Sequence, residues 1–165
     1  MPCLAVMPGQ GYAFDSPRYD VILSEAKDLR SNAENGRSRR VHGGRTLQRQ
    51  ILHLGRHIDG NFTRTPSWSA SAVPWTATAP PPHPMTESEI LEVIAAHAEV
   101  AHNLVEAGVD GVELNMAHGH LPQQFLSPAV NRRTDGWGGD EQGRMRFALE
   151  TLKAVRAAVG EGVAF

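Results

Sequence analysis

Cysteine is nearly absent: Cys3 is the single one in 165 residues. No intrachain disulfide can form, and no cysteine-ligated zinc or iron–sulfur cluster can be assembled from this chain alone. That usage suits a reducing, cytoplasmic setting. Long apolar runs are also lacking, since none approaches the roughly 18 residues of a membrane span. The opening MPCLAVMPGQ has no basic start and is too short for a signal peptide. A protein that is neither membrane-bound nor exported is expected. Excess charge of one sign is missing too: 16 Lys and Arg stand against 18 Asp and Glu, a net charge of −2. This excludes an electrostatic case for nucleic acid or an anionic membrane surface. Small molecules and other subunits, including further copies of the chain, are the partners to expect.

Residues 1–40 are densely charged with mixed sign and hold one short apolar patch at residues 21–23. Such a stretch buries too little to offset its ordering entropy. It is expected to be a disordered or loosely helical extension, or one that is not genuine coding sequence. Arg37, Arg39 and Arg40 sit among acidic residues and read as a solvated tail rather than a nucleic-acid arm.

From residue 41 onward the pattern is orderly and reads as one unit, 41–165. Residues 46–54 predict a strand that ends in Gly55 and Arg56, with Gln48 and Gln50 unusually polar for a buried strand. The interior of a barrel near a ligand would tolerate them. A loop over 59–84 follows, rich in proline and small residues, with Trp68 and Trp75 in it. Its length implies that it either has a function or covers something. The run Pro80, Pro81, Pro82 reads as a stiff spacer. Thr86 and Glu89 form a capping box for a helix in which Ile90, Val93, Ile94, His97, Ala101, Leu104 and Val105 share one face, with Gly108 just past its end. His97 on that stripe reads as a packed histidine.

The strand GVELN over 111–115 turns Val112 and Leu114 one way and Gly111, Glu113 and Asn115 the other. A second helix is predicted from about 141 to 159, with Ala148, Leu152, Val155 and Val159 on one face and Gly160 closing it. Val163, Ala164 and Phe165 look like the start of another strand. Strand, helix, strand, helix, strand implies parallel strands joined by crossover helices, an α/β fold.

In such barrels the site lies at the C-terminal ends of the strands. That rule points to residues 50–57 and to NMAHGH, which holds Asn115, His118 and His120 within six residues. An amide and an imidazole three apart at a strand end can both reach one carbonyl oxygen or phenolate-like anion. This suggests an oxyanion-stabilising site. Two other readings stay open: metal ligation, although no clustered carboxylate or cysteine completes a set and no metal is expected, and a purely structural role for the turn.

The segment GVDGVELNMAHGHLPQQFLSPAVNRRTDGWGGDEQGRMRFALE closely resembles the Old Yellow Enzyme and 2,4-dienoyl-CoA reductase family of NADH:flavin oxidoreductases. The shared features are the DGVE strand, the histidine-rich turn, QFLSP, N-x-R-x-D, an aromatic before Gly-Gly, and R-x-RF. Gln50, His53, Gly55 and Arg56 resemble that family's Q-x-x-H-x-GR strand. The resemblance implies a (β/α)8 barrel, of which this chain would supply about strands three and four with their helices and the start of strand five. A complete barrel needs roughly 250 residues.

It further implies FMN, reduced by NADH or NADPH, that passes hydride to an enone or enoyl-type acceptor. Gln50 would bind the FMN pyrimidine edge, while Asn115 and His118 would bind the substrate carbonyl oxygen or the nicotinamide. His120 stands where many members have a proton-donating tyrosine. The family's phosphate-binding strands, seven and eight, have no counterpart in these residues. Arg132, Arg133, Asp135, Trp137, Arg144 and Arg146 are expected to shape the loop rather than react. The alternative is a half-barrel structural or assembly module without flavin, against which exposed strand edges argue.

Overall fold

The computed structural model describes residues 21–23, as backbone only, together with 47–57 and 66–165. Its centre is a sheet of three strands in the order β1 (Val21–Leu23), β2 (Gln48–His53) and β5 (Gly111–Leu114). Strands β2 and β5 are parallel, with Gln48 opposite Gly111 and Ile51 opposite Leu114. Beyond β5, Ala164 forms a parallel bridge to Gly111. Two parallel crossovers, β2 to β5 and β5 to residue 164, are thereby in place, as the element order predicts. The expectation for residues 1–40 lies outside the described residues except at Val21–Leu23, where the backbone pairs antiparallel with β2.

The first crossover helix, α1 (Glu87–Glu106), begins at Thr86, whose hydroxyl accepts from the Glu89 N–H while the Glu89 carboxylate accepts from the Thr86 N–H at 2.7 Å. The capping box read from the sequence is therefore formed. Ile90, Val93, Ile94, His97, Ala101 and Leu104 are buried, and Val105 is partly so. His97 is packed as expected. Its Nδ1–H donates to the Val93 carbonyl at 2.8 Å, and burial pushes its pKa down to about 4.

Helix α2 (Leu121–Leu126) is short, and α3 (Glu141–Val159) starts at Asp140, whose carboxylate accepts from the Gly143 N–H at 2.8 Å. Helices α1 and α3 pack together on one side of the sheet.

Two cores result. Ile51, Leu104, Val112, Val155, Val159 and Val163 join sheet to helices. Val112 and Leu114 face that core, so Gly111, Glu113 and Asn115 project from the opposite face, as strand alternation requires. The second core gathers Trp68, Met85, Ile90, Leu121, Phe125, Trp137 and Phe147, with the Phe125 and Phe147 rings stacked at 4.5 Å.

The proline-rich loop contributes to that second core. Its described part forms two short parallel strands, β3 (Trp68–Ser69) and β4 (His83–Pro84), and buries Trp68 and Met85. Its length thus serves as a cover, one of the two purposes its sequence implied.

The segment after α2 is tied down by polar side chains. The buried Asn131 amide donates to the carbonyls of Phe125 and Trp137, both at 2.8 Å. Arg133 donates to the Ala70 and Met85 carbonyls and pairs with Asp135, whose carboxyl is held below the usual range by the Arg133 hydrogen bond. Trp137 is buried, its Nε1–H donates to Glu87 at 3.1 Å, and the Arg146 guanidinium covers its ring at 4.0 Å. Loop-shaping roles for Arg133, Asp135, Trp137 and Arg146 follow directly from these contacts.

Candidate active site

Because β2 and β5 are parallel and in register, their C-terminal ends lie side by side. Gln50 is paired with Glu113, and Asn115 follows one step past the end of β5. The Asn115 N–H bonds to the Ile51 carbonyl at 2.9 Å, which extends the ladder just far enough to seat the Asn115 side chain beside Gln50. Asn115 Nδ2 donates to Gln50 Oε1 at 3.0 Å and lies 3.3 Å from His118 Nδ1. Asn115 Oδ1 accepts from the Ala117 N–H at 3.0 Å, and Gln50 Nε2 donates to Glu113 Oε1 at 2.9 Å. Gln50, Asn115 and His118, separated by up to 68 positions in sequence, thus form one connected polar group.

The backbone at the turn is unusual. His118 has φ 57°, the single positive value at a non-glycine position among the described residues, and Gly119 follows at φ 73°. A left-handed conformation costs a side-chain-bearing residue about 1–2 kcal/mol. Here it swings the exposed His118 ring back over Asn115. The turn is held from below by buried Gln124, whose amide donates to the carbonyls of Leu54 at 3.1 Å and Gly119 at 2.7 Å, while its oxygen accepts from the Arg56 N–H at 3.3 Å. Gln123 accepts from the Gly119 N–H. One glutamine therefore ties the end of β2 to the turn after β5.

His120 sits at the N-cap of α2 and faces a different group. Its ring meets His57 edge-on at 5.3 Å and lies 6.0 Å from His118, and the His57 ring lies 3.7 Å from Trp75. Arg56 approaches the Trp75 ring at 5.3 Å and donates to the Val73 and Pro74 carbonyls. Burial, then the neighbouring His120 and Arg56, push the His57 pKa down to about 4. Burial and the nearby His118 also lower that of His120. Both shifts favour the neutral imidazole, which disfavours an imidazolium proton on His120.

Sequence reading had singled out Gln50, Asn115, His118 and His120. The structure brings the first three into hydrogen-bond contact and sets His120 between His57 and His118. It adds Glu113, Gln124, His57 and Trp75. The paired glutamines at 123 and 124 and the aromatic at 75 were visible signals, but only strand register assigns them neighbours. No group of three or more metal-ligating side chains exists among the described residues.

The sequence profile of the NADH:flavin oxidoreductase / NADH oxidase family matches residues 42–165. The chain belongs to that family. Among relatives of this flavin oxidoreductase family, the segment is 45% identical over 114 residues to an NADP-dependent oxidoreductase of Aspergillus flavus, covering 67% of the chain and 30% of the relative. It is 51% identical over 92 residues to a chanoclavine-I aldehyde reductase of Penicillium roqueforti, covering 56% and 25%. The fold superposes on morphinone reductase with a TM-score of 0.68 at 27% identity, over 74% of this chain and 37% of that one. The architecture is accordingly that of an Old Yellow Enzyme-type (β/α)8 barrel over part of its circuit. The chain spans about a third or less of the length of these curated relatives. No helix among the described residues is long and apolar enough to cross a membrane.

Proposed function

We propose that this segment carries the substrate-facing part of an FMN-dependent NAD(P)H oxidoreductase of the ene-reductase type, supplying about strands three and four of the barrel with their helices and the start of strand five. The observation that supports the reading is the Gln50, Asn115 and His118 group at the adjacent C-terminal ends of two parallel strands, where barrel sites are built.

The donor set fits a flavin edge. Gln50 spends one N–H on Glu113 and one oxygen lone pair on Asn115. It keeps a second N–H and a second lone pair for the alternating acceptors and donors of a pyrimidine ring. When bound, FMN supplies hydride transfer between a nicotinamide, NADH or NADPH, and an electron-poor acceptor. Asn115 and His118 stand together where an acceptor's carbonyl oxygen would bind, and a hydrogen-bond donor placed there stabilises the negative charge building on that oxygen. An enone or enoyl-type small molecule is the acceptor class this suits. His120, set against His57 and with its pKa lowered by burial and by His118, suits a substrate or loop contact better than the role of an acid. A cytoplasmic protein, alone or as a homo-oligomer, completes the proposal.

One observation favours a second reading, a half-barrel module without flavin: β1 lies antiparallel on the edge of β2, where a barrel has a parallel neighbour. Titrating FMN into this chain joined to the remaining barrel strands of a relative separates the two. Quenched flavin fluorescence that is weakened by Gln50→Ala is expected. An unchanged flavin spectrum at all concentrations of the completed barrel would favour the module and sink the flavin reading.

A further inference from the structure

The hydrogen bonds around Asn115 assign different tasks to the two donors of the proposed site. The backbone N–H of Ala117 can only donate, so the Asn115 atom facing it at 3.0 Å is the carboxamide oxygen. The Asn115 nitrogen must then face Gln50 and His118. From the other end, the Glu113 carboxylate oxygen accepts, so Gln50 turns its nitrogen to Glu113 at 2.9 Å and its oxygen to Asn115. Two independent anchors, a backbone donor and a carboxylate acceptor, impose the same orientation at the Gln50 to Asn115 contact. Both hydrogens of the Asn115 amide are thereby committed, one to Gln50 Oε1 at 3.0 Å and one to His118 Nδ1 at 3.3 Å. An Nδ1 that accepts from N–H carries no hydrogen, and the neutral ring must hold it on Nε2.

We infer that Glu113, Gln50 and Asn115 form an orienting relay that locks His118 as the Nε2–H tautomer, leaving His118 as the donor to the acceptor's oxygen and Asn115 as a positioning residue. This rests on the flavin-reductase reading for the identity of the acceptor, but the tautomer does not. The left-handed backbone at His118, φ 57°, is part of the same device, since it brings Nδ1 within reach of Asn115 while the ring is exposed.

The test is a long-range 1H–15N correlation spectrum of the uniformly labelled chain, with the His118 ring assigned by its loss in His118→Gln. For wild type near neutral pH, the pyridine-type nitrogen signal is expected at Nδ1 and the pyrrole-type at Nε2. The Asn115→Asp variant replaces the donor with an acceptor and should move the hydrogen to Nδ1, exchanging the two signal types. Asn115→Leu, similar in size, should abolish the lock and give a mixture. A wild-type Nδ1–H tautomer overturns the inference without any variant having to fold. An unchanged Nε2–H pattern in a folded Asn115→Asp protein overturns the relay. Because no flavin or substrate is present, neither result bears on whether the chain binds FMN.

Discussion

Replacing Gly55 by alanine tests how the two strand ends are joined. Gly55 has φ 61°, and an added Cβ would overlap the side-chain amide of Gln124. The strained backbone alone costs about 1–2 kcal/mol. Gln124 is buried and cannot simply swing into solvent, and its displacement strips partners from the Leu54 and Gly119 carbonyls. The Leu54 carbonyl keeps the His57 N–H at 3.3 Å, so the partly buried Gly119 carbonyl is the one left without a partner, which adds about 1–3 kcal/mol. A total of about 2–5 kcal/mol is expected, a large share of the roughly 5–15 kcal/mol that holds a typical domain folded. Gly108→Ala is the matched control, because φ is 89° there and nothing lies within 4 Å of the added methyl. It should lose the backbone term only. Urea denaturation followed by far-UV circular dichroism gives both numbers, and the Gly55 variant should be worse by about 1–3 kcal/mol. Combining Gly55→Ala with Gln124→Ala should cost less than the sum of the two single changes, since both break the same Gln124 hydrogen bonds. Equal costs for the two glycine variants would refute the claim that Gln124 braces the turn.

Two further outcomes follow from histidines outside that brace. His97 is buried with its folded pKa pushed down to about 4 from an ordinary 6.5. The unfolded state therefore takes up a proton first as pH falls below 6.5, so the stability from burying a neutral His97 is present above that pH and is lost progressively down to about 4. The loss should reach about 3 kcal/mol. His97→Asn should flatten that part of the stability profile, and a profile equally steep in the variant would exclude His97 as the source. His120 has a lowered pKa. In a complete flavoprotein containing this segment, any protonation of substrate by its imidazolium should fade as pH rises through that lowered value. His120→Tyr should raise enone reduction at neutral pH severalfold and remove the dependence; a slower variant would show that the imidazole itself is needed.

Local sequence determined the two long helices, because their starts are written in short-range chemistry: Thr86 with Glu89, and the N-cap Asp140. Strand alternation in GVELN likewise determined that Asn115 and Glu113 leave the sheet on the face away from Val112. The forty-residue motif determined the family, which the profile match over residues 42–165 bears out. What no local pattern contains is register. That Gln50 falls opposite Glu113, within reach of Asn115, follows only from parallel pairing across 63 residues. Tertiary structure likewise decided that Gln124 binds the two strand ends together and that His120 meets His57, which in turn lies against Trp75. Side-chain hydrogen bonds depend on positions known to a few tenths of an ångström, and such positions are set by the packing of whole elements rather than by any one segment.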